Sequence, residues 1–326
     1  MNTKIQELKK ILGERAKENE LLARYTTFKV GGPADLFYDA KTADELTQAV
    51  ISARRLSVPI FILGGGSNIL IGDRGMRGLV VKNSTNAIVM RGAKGSYKSG
   101  QSTGKVFVEA ESGVLINKLV RDTIEEGLGG LEMHLGLPGT VGGAMFMNSK
   151  WTKSESYVGD VVYQATILTP TGDMQTVSRD YFHFGYDQSA IQITGDLVLK
   201  IIFALTPTSK ETLWEIANQS VAYRRESQPQ GVISAGCTFR NISKAEALSV
   251  PTPNHTTSAG FLVDHAGLKG AIVGGAQISP IHANFIINQN HATAADVVQL
   301  IERARAKVLE KFGVTLAEEV VRVGEF

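Results

Sequence analysis

A chain of 326 residues, 43% hydrophobic and 20% charged, has the composition of a folded globular protein and is too long for one ordinary core, so two or three domains are expected. A net charge of +2 excludes a broad basic field for nucleic acid, and a single cysteine excludes an internal disulfide or a multi-cysteine metal site. No signal-peptide core opens the chain and no apolar run approaches the roughly 20 residues that span a bilayer, so a reducing cytoplasm and no membrane insertion are expected.

Ile5, Leu8, Ile11 and Leu12 fall at helical spacing and predict an amphipathic first helix. TTFKVGGPADLFYDA reads as short strands broken by Gly31, Gly32 and Pro33. Thr42 and Glu45 form a capping box opening a helix through Arg55, and VPIFILGGGSN is an apolar strand ending in glycines. Residues 26–70 therefore predict a β-α-β unit. Two strands follow around a polar tip carrying Arg91, Lys94, Lys98 and Lys105, which reads as a solvated hairpin. Val114 to Glu126 predicts a helix closed by Gly127, and residues 158–204 alternate as strands. TPTSK reads as a linker, and Glu211 to Arg225 as a helix. Thr293 and Asp296 box a last helix that runs to about Lys311 with Gly313 just past it, and VTLAEEVVRV closes as a strand.

Five stretches carry candidate chemistry. In GGGSN, Gly64 to Asn68, glycines let the backbone approach a ligand and turn N–H groups onto an anion. It is neither a Walker loop nor G-x-G-x-x-G, and a tight structural turn is the competing reading. GLPGTVGGA, Gly136 to Ala144, presents a second set of backbone amides, and the two loops together point to a shared nucleotide pocket. SAGCTFRN holds Cys237; a lone cysteine is most often buried and inert, but here small and polar residues flank it, and Arg240 and Asn241 suit an anionic ligand. His282 and Asn284 precede the apolar run Phe285 to Ile287, and a lone histidine is usually not catalytic. Glu318 and Glu319 adjoin, so on a strand they point to opposite faces; one is expected to face inward, which is costly unless it is paired or functional, and a solvated edge charge is the competing and favoured reading.

Taken in order, TTFKVGGPAD, LGGGSNILI, GLPGTVGGAMFMN, SAGCTFRN, GFLVDHAGLKG and AQISPIHANFIINQNHATAADV resemble the UDP-N-acetylenolpyruvoylglucosamine reductase family over nearly the whole chain, in its shorter subtype. The resemblance implies an α+β fold: two FAD-binding subdomains of the vanillyl-alcohol-oxidase type, 1–83 and 84–206, and a C-terminal α+β substrate domain, 207–326. It implies FAD as cofactor, NADPH as co-substrate, a UDP-sugar substrate and a role in peptidoglycan synthesis that serves cell shape and division; apart from the resemblance, no metal site and a monomer are expected. By the same resemblance Gly64, Gly65, Gly66, Ser67, Asn68, Pro138, Gly139, Thr140, Gly142, Gly143 and Ala144 contact FAD. Cys237 stands at the proton-donor position of the family's G-S-x-F-K-N-P, and the glutamate of L-x-x-E-V falls on Glu319. Tyr186, Arg240, Asn241, Lys269, His282 and Asn284 fall on the substrate side.

Three departures stand out. Ile242 replaces a proline, MNSKWTKSESYVG replaces MNAGAYG, and Asp187 stands where G-Y-R-x-S has its substrate-binding arginine. By motif, Arg224, Arg225, Arg240 and Lys269 are the candidates to compensate, and the two altered stretches are expected to be coupled. The alternatives to an active reductase are a degenerate flavin-binding relative and an oxygen-using oxidase.

Overall fold

Alternation through residues 158–204 arises in the middle of an antiparallel sheet. Its order is Met174–Ser178, Val162–Leu168, Leu197–Pro207, Lys105–Glu111 and Ile88–Lys94, with Leu128–Gly129 also on Leu197–Pro207. Ile201, Phe203 and Leu205 point every second side chain into the core, as one covered face requires. The computed structural model describes residues 3–94, 97–98, 101–102, 104–151 and 155–326. The hairpin-tip residues Gly95, Ser96, Ser99, Gly100 and Thr103, the Lys98 side chain, and Thr152, Lys153 and Ser154 of the altered stretch lie outside the described residues. The predicted hairpin strands are present, pairing from Ile88 with Ala110 to Lys94 with Lys105.

Against this sheet the helix Ile116–Glu125 buries Ile116, Leu119, Val120, Thr123 and Ile124, a stripe at the 3.6-residue period. The helix starts later than the pattern predicts because Val114 is held by backbone bonds of its own, to Glu111 O and from Val141 N. The predicted β-α-β unit is Pro33–Ala40, Ala43–Arg55 and Ile60–Leu63. Its sheet order is Lys17–Leu21, Pro33–Ala40, Met76–Asn83, Ile60–Leu63. Only its second half bears out the strand expected over TTFKVGGPADLFYDA, since Lys29 at φ 55° and Gly31 at φ 138° break the first half. Thr42 caps the helix by accepting from Glu45 N at 3.2 Å. The Glu45 carboxylate accepts from Lys41 N, at 2.8 Å, rather than closing the box on Thr42.

Compactness divides the chain into two units that interleave in sequence: residues 1–16, 38–65 and 81–224, and residues 17–37, 66–80 and 225–326. In the second, a sheet ordered Ser234–Cys237, Phe285–Asn288, Ala276–Ile278, Ile272–Val273 packs with the helices Ala259–His265 and Ala294–Phe312. The long helix buries Val297, Leu300, Ile301, Ala304 and Val308. Thr293 and Asp296 complete its predicted capping box, and Gly313 ends it at φ 68°. Asp73 adds a second cap, accepting from Ala294 N at 2.7 Å and Ala295 N at 3.0 Å. The predicted final strand shrinks to Val321–Val323, parallel to Ile69–Ile71. The residues before it bond instead to the segment that follows Cys237. Among the described residues no helix is long and apolar enough to cross a membrane.

Candidate functional site

In the first unit the two glycine stretches abut. A Cβ on Gly64 would lie 2.6 Å from Thr140 Oγ1, and one on Gly65 would lie 2.6 Å from Gly139 Cα, so this approach admits only glycine. Asn117, on the Ile116–Glu125 helix, holds the second stretch from below. It accepts from Gly136 N at 2.6 Å and donates to Leu137 O at 3.3 Å. Thr140 then caps the short helix Val141–Met147, accepting from Gly143 N at 3.4 Å.

The N–H groups sort into engaged and available. Val141, Gly142 and Ala144 donate to Val114 O, Ser112 O and Thr140 O. The expectation that amides through Ala144 reach a ligand is thereby narrowed, because the helix and its neighbours use them. Among the described residues, the N–H groups of Gly65, Gly139 and Thr140 donate to no protein acceptor. Gly65 and Gly139 are half-buried and lie where no side chain fits, so a ligand can approach these backbone donors closely. They suit the anionic oxygens of a nucleotide diphosphate, so the residues present fit a dinucleotide such as FAD.

Tyr186 and Asp187 lie in the same unit. Asp187 is 4% exposed, at φ 51°, in the turn closed by Gly185 and Gln188. The Lys150 ammonium stands 3.1 Å from the Tyr186 ring centroid, a close cation–π contact. Lys150 belongs to MNSKWTKSESYVG, so the two altered stretches meet as expected. The compensating cations named from sequence did not include it.

The second unit builds a different constellation. Gly236, at φ 82°, shifts the register between Ser234 and Cys237, and half-buried Cys237 pairs with Phe285. Immediately after it the backbone is clamped. Thr238 N donates to Asn284 O at 2.7 Å. Phe239 N donates to Asn284 Oδ1 at 2.9 Å, and Asn284 Nδ2 donates to Phe239 O at 2.8 Å. On the other side Glu319 N donates to Thr238 O at 2.8 Å and Arg240 N to Ala317 O at 2.9 Å. Asn68, the end of the first glycine stretch, donates from Nδ2 to Glu319 O at 3.1 Å and accepts from Val321 N at 3.0 Å. Cys237, Glu319, Asn284 and Asn68 are thus brought together from segments far apart in sequence.

Glu318 is not the solvated edge charge: its side chain is 19% exposed and paired, with Arg322 binding its carboxylate at 2.7 Å through two nitrogens and Arg305 approaching to 3.7 Å. The remaining substrate-side residues have structural partners. Asn284 is 3% exposed with its amide on Phe239, and His282 Nδ1 accepts from Asn284 N at 3.2 Å. Burial holds His282 below the ordinary imidazole pKa, so it is neutral at pH 7. Lys269 pairs with Asp264 at 2.7 Å, and Asn241 Oδ1 accepts from Ala259 N at 3.1 Å at the start of Ala259–His265. Gly66 O accepts from Thr27 N at 3.0 Å. Ser67 and Pro138 flank the donors described above.

Residues 228–323 match the UDP-N-acetylenolpyruvoylglucosamine reductase C-terminal domain, and residues 34–178 match an FAD binding domain. A UDP-N-acetylenolpyruvoylglucosamine reductase of Agathobacter rectalis is 35% identical over 311 residues, 95% of this chain and 94% of that one. One of Halalkalibacterium halodurans is 32% identical over 325 residues, 100% of both. The chain belongs to the UDP-N-acetylenolpyruvoylglucosamine reductase family. The crystal structure of the reductase from Thermus caldophilus, at 31% identity, superposes with a TM-score of 0.72 and covers 94% of this chain and 98% of that one. The family membership and the FAD binding domain agree with the α+β fold and with the donor cradle at Gly65, Gly139 and Thr140.

Proposed function

We propose that the protein is an FAD-dependent UDP-N-acetylmuramate dehydrogenase. It uses NADPH to reduce the enolpyruvyl ether of UDP-N-acetylglucosamine enolpyruvate to the lactyl ether of UDP-N-acetylmuramate. The observation that carries the reading is the joining of the Cys237 and Glu319 segments through Thr238 O, within a chain of this family. When bound, FAD reduced by NADPH supplies the hydride for the terminal carbon of the enolpyruvyl group.

The protein's own residues deal with the charge and the proton. Negative charge collects between the substrate's α-carbon and its carboxylate, and the α-carbon must be protonated. The Cys237 S–H bond breaks as the C–H bond forms, and the thiolate regains its proton from water. A thiol, with pKa about 8.5, still holds its proton at neutral pH and is a stronger acid than an aliphatic hydroxyl. Glu319, fixed through its backbone to Thr238 and Asn68, orients the enolpyruvyl group. The N–H groups of Gly65, Gly139 and Thr140 hold diphosphate oxygens of the cofactor. The enzyme acts as a cytoplasmic monomer, and its product feeds the cell wall and hence cell shape and division.

Purified protein is expected to be yellow and to oxidise NADPH only when the enolpyruvyl sugar nucleotide is added. Protein that stays colourless after refolding with FAD sinks the reading. So does NADPH oxidation that makes hydrogen peroxide without the sugar nucleotide.

A further inference from the structure

Lys82 lies on Met76–Asn83, the strand beside Ile60–Leu63, which leads into the first glycine stretch. Its Nζ donates to the Gly64 carbonyl at 2.6 Å. Burial holds the ammonium below the ordinary lysine pKa; Asp39 opposes that shift and Lys41 adds to it. Among the described residues no carboxylate stands at ion-pairing distance from Lys82 Nζ, and Asp39 pairs instead with Lys41, at 2.6 Å. A cation taken out of water and given only a neutral carbonyl is costly unless an anion comes near.

The position of that carbonyl matters. In a trans peptide the C=O and the next N–H point in opposite directions. With Gly64 O drawn to Lys82, the Gly65 N–H is turned to the other side of the peptide. Gly65 N–H is one of the donors with no protein acceptor, at the point where a Cβ would meet Gly139.

We infer that Lys82 is a positioning residue of the cofactor cradle, locking the Gly64–Gly65 peptide so that Gly65 N–H faces the diphosphate and placing a positive charge with no ion-pair partner behind it. The inference rests on the reading of the cradle as an FAD site. Glycine is the residue least able to hold one peptide orientation unaided, so a side-chain anchor is needed where the loop must be permissive in sterics and fixed in direction.

The test uses the full-length flavoprotein and the variants Lys82→Met and Lys82→Arg. Flavin released on dilution is followed by its fluorescence, together with turnover at saturating FAD and the melting temperature of each apoprotein. Lys82→Met is expected to raise the FAD dissociation constant about 10-fold or more, as loss of a charge-assisted hydrogen bond implies. Lys82→Arg is expected to recover most of the affinity. Two outcomes overturn the inference: Lys82→Met that retains FAD like the wild type, or a loss of affinity that follows a drop in apoprotein melting and that arginine does not recover. A wild-type protein that takes up no FAD overturns the underlying reading before any variant is made.

Discussion

Cys237 is the last residue of its strand and the first before the backbone clamp, so its Cα is fixed on one side by Phe285 and on the other by Thr238. A proton donor has to be placed before its acidity matters. Cys237→Ser is therefore expected to keep substrate reduction, because a hydroxyl at the same point can give up the same proton. Cys237→Ala is expected to slow it by about 100-fold to 10,000-fold. NADPH still bleaches the flavin in both, which anaerobic stopped-flow absorbance separates from the second half of the reaction; a Cys237→Ala enzyme with normal turnover removes the thiol from the mechanism. Cys237 was legible in the sequence through its motif. Lys150 was not, because its contact with Tyr186 joins positions 36 apart whose side chains carry no shared local pattern.

At the scale of elements, what could be read from sequence is what acts over three or four residues. Thr42 and Thr293 announce their helices because each oxygen accepts an N–H three positions on. The stripe of Ile116–Glu125 is equally local. The Asn284 clamp is not, since its partners are 45 residues earlier, and the motif alone pointed to substrate rather than to Phe239. The shortened final strand has the same cause: Ala317 and Glu319 use their backbone groups on Arg240 and Thr238, and no alternation in VTLAEEVVRV foretells that. Asn284→Ala leaves the buried Phe239 N–H and C=O without these partners, so it is expected to cost about 2–4 kcal/mol of stability. Chemical denaturation measures this, and an unchanged midpoint contradicts the clamp. Asn284→Asp keeps the acceptor for Phe239 N but sets a buried carboxylate oxygen against Phe239 O, and is expected to cost at least as much at neutral pH.

For the whole molecule, acid is the weak side. His134 is fully buried, both ring nitrogens lack a hydrogen-bond partner among the described residues, and burial followed by the nearby Arg224 lowers its pKa from 6.5 to about 4. The unfolded chain therefore binds a proton that the folded chain refuses between those values. The neutral ring is no burden above pH 6.5, and stability falls as pH drops from 6.5 towards 4, by about 3 kcal/mol in all. His134→Leu is expected to flatten that part of the stability–pH curve; an unaltered slope in urea melts assigns the acid sensitivity elsewhere. Sequence patterns outlined most elements of both units but not the assembly of the second, whose segments come from residues 17–37, 66–80 and 225–326. Its ties are long: Asp73 caps a helix that begins at Ala294, and Ile69–Ile71 pairs with Val321–Val323. Such a chain cannot complete this unit as it leaves the ribosome from the N-terminal side. Ile69–Ile71 waits without its partner strand until residues 321–323 have been synthesised, and that interval is when chaperones have most to protect.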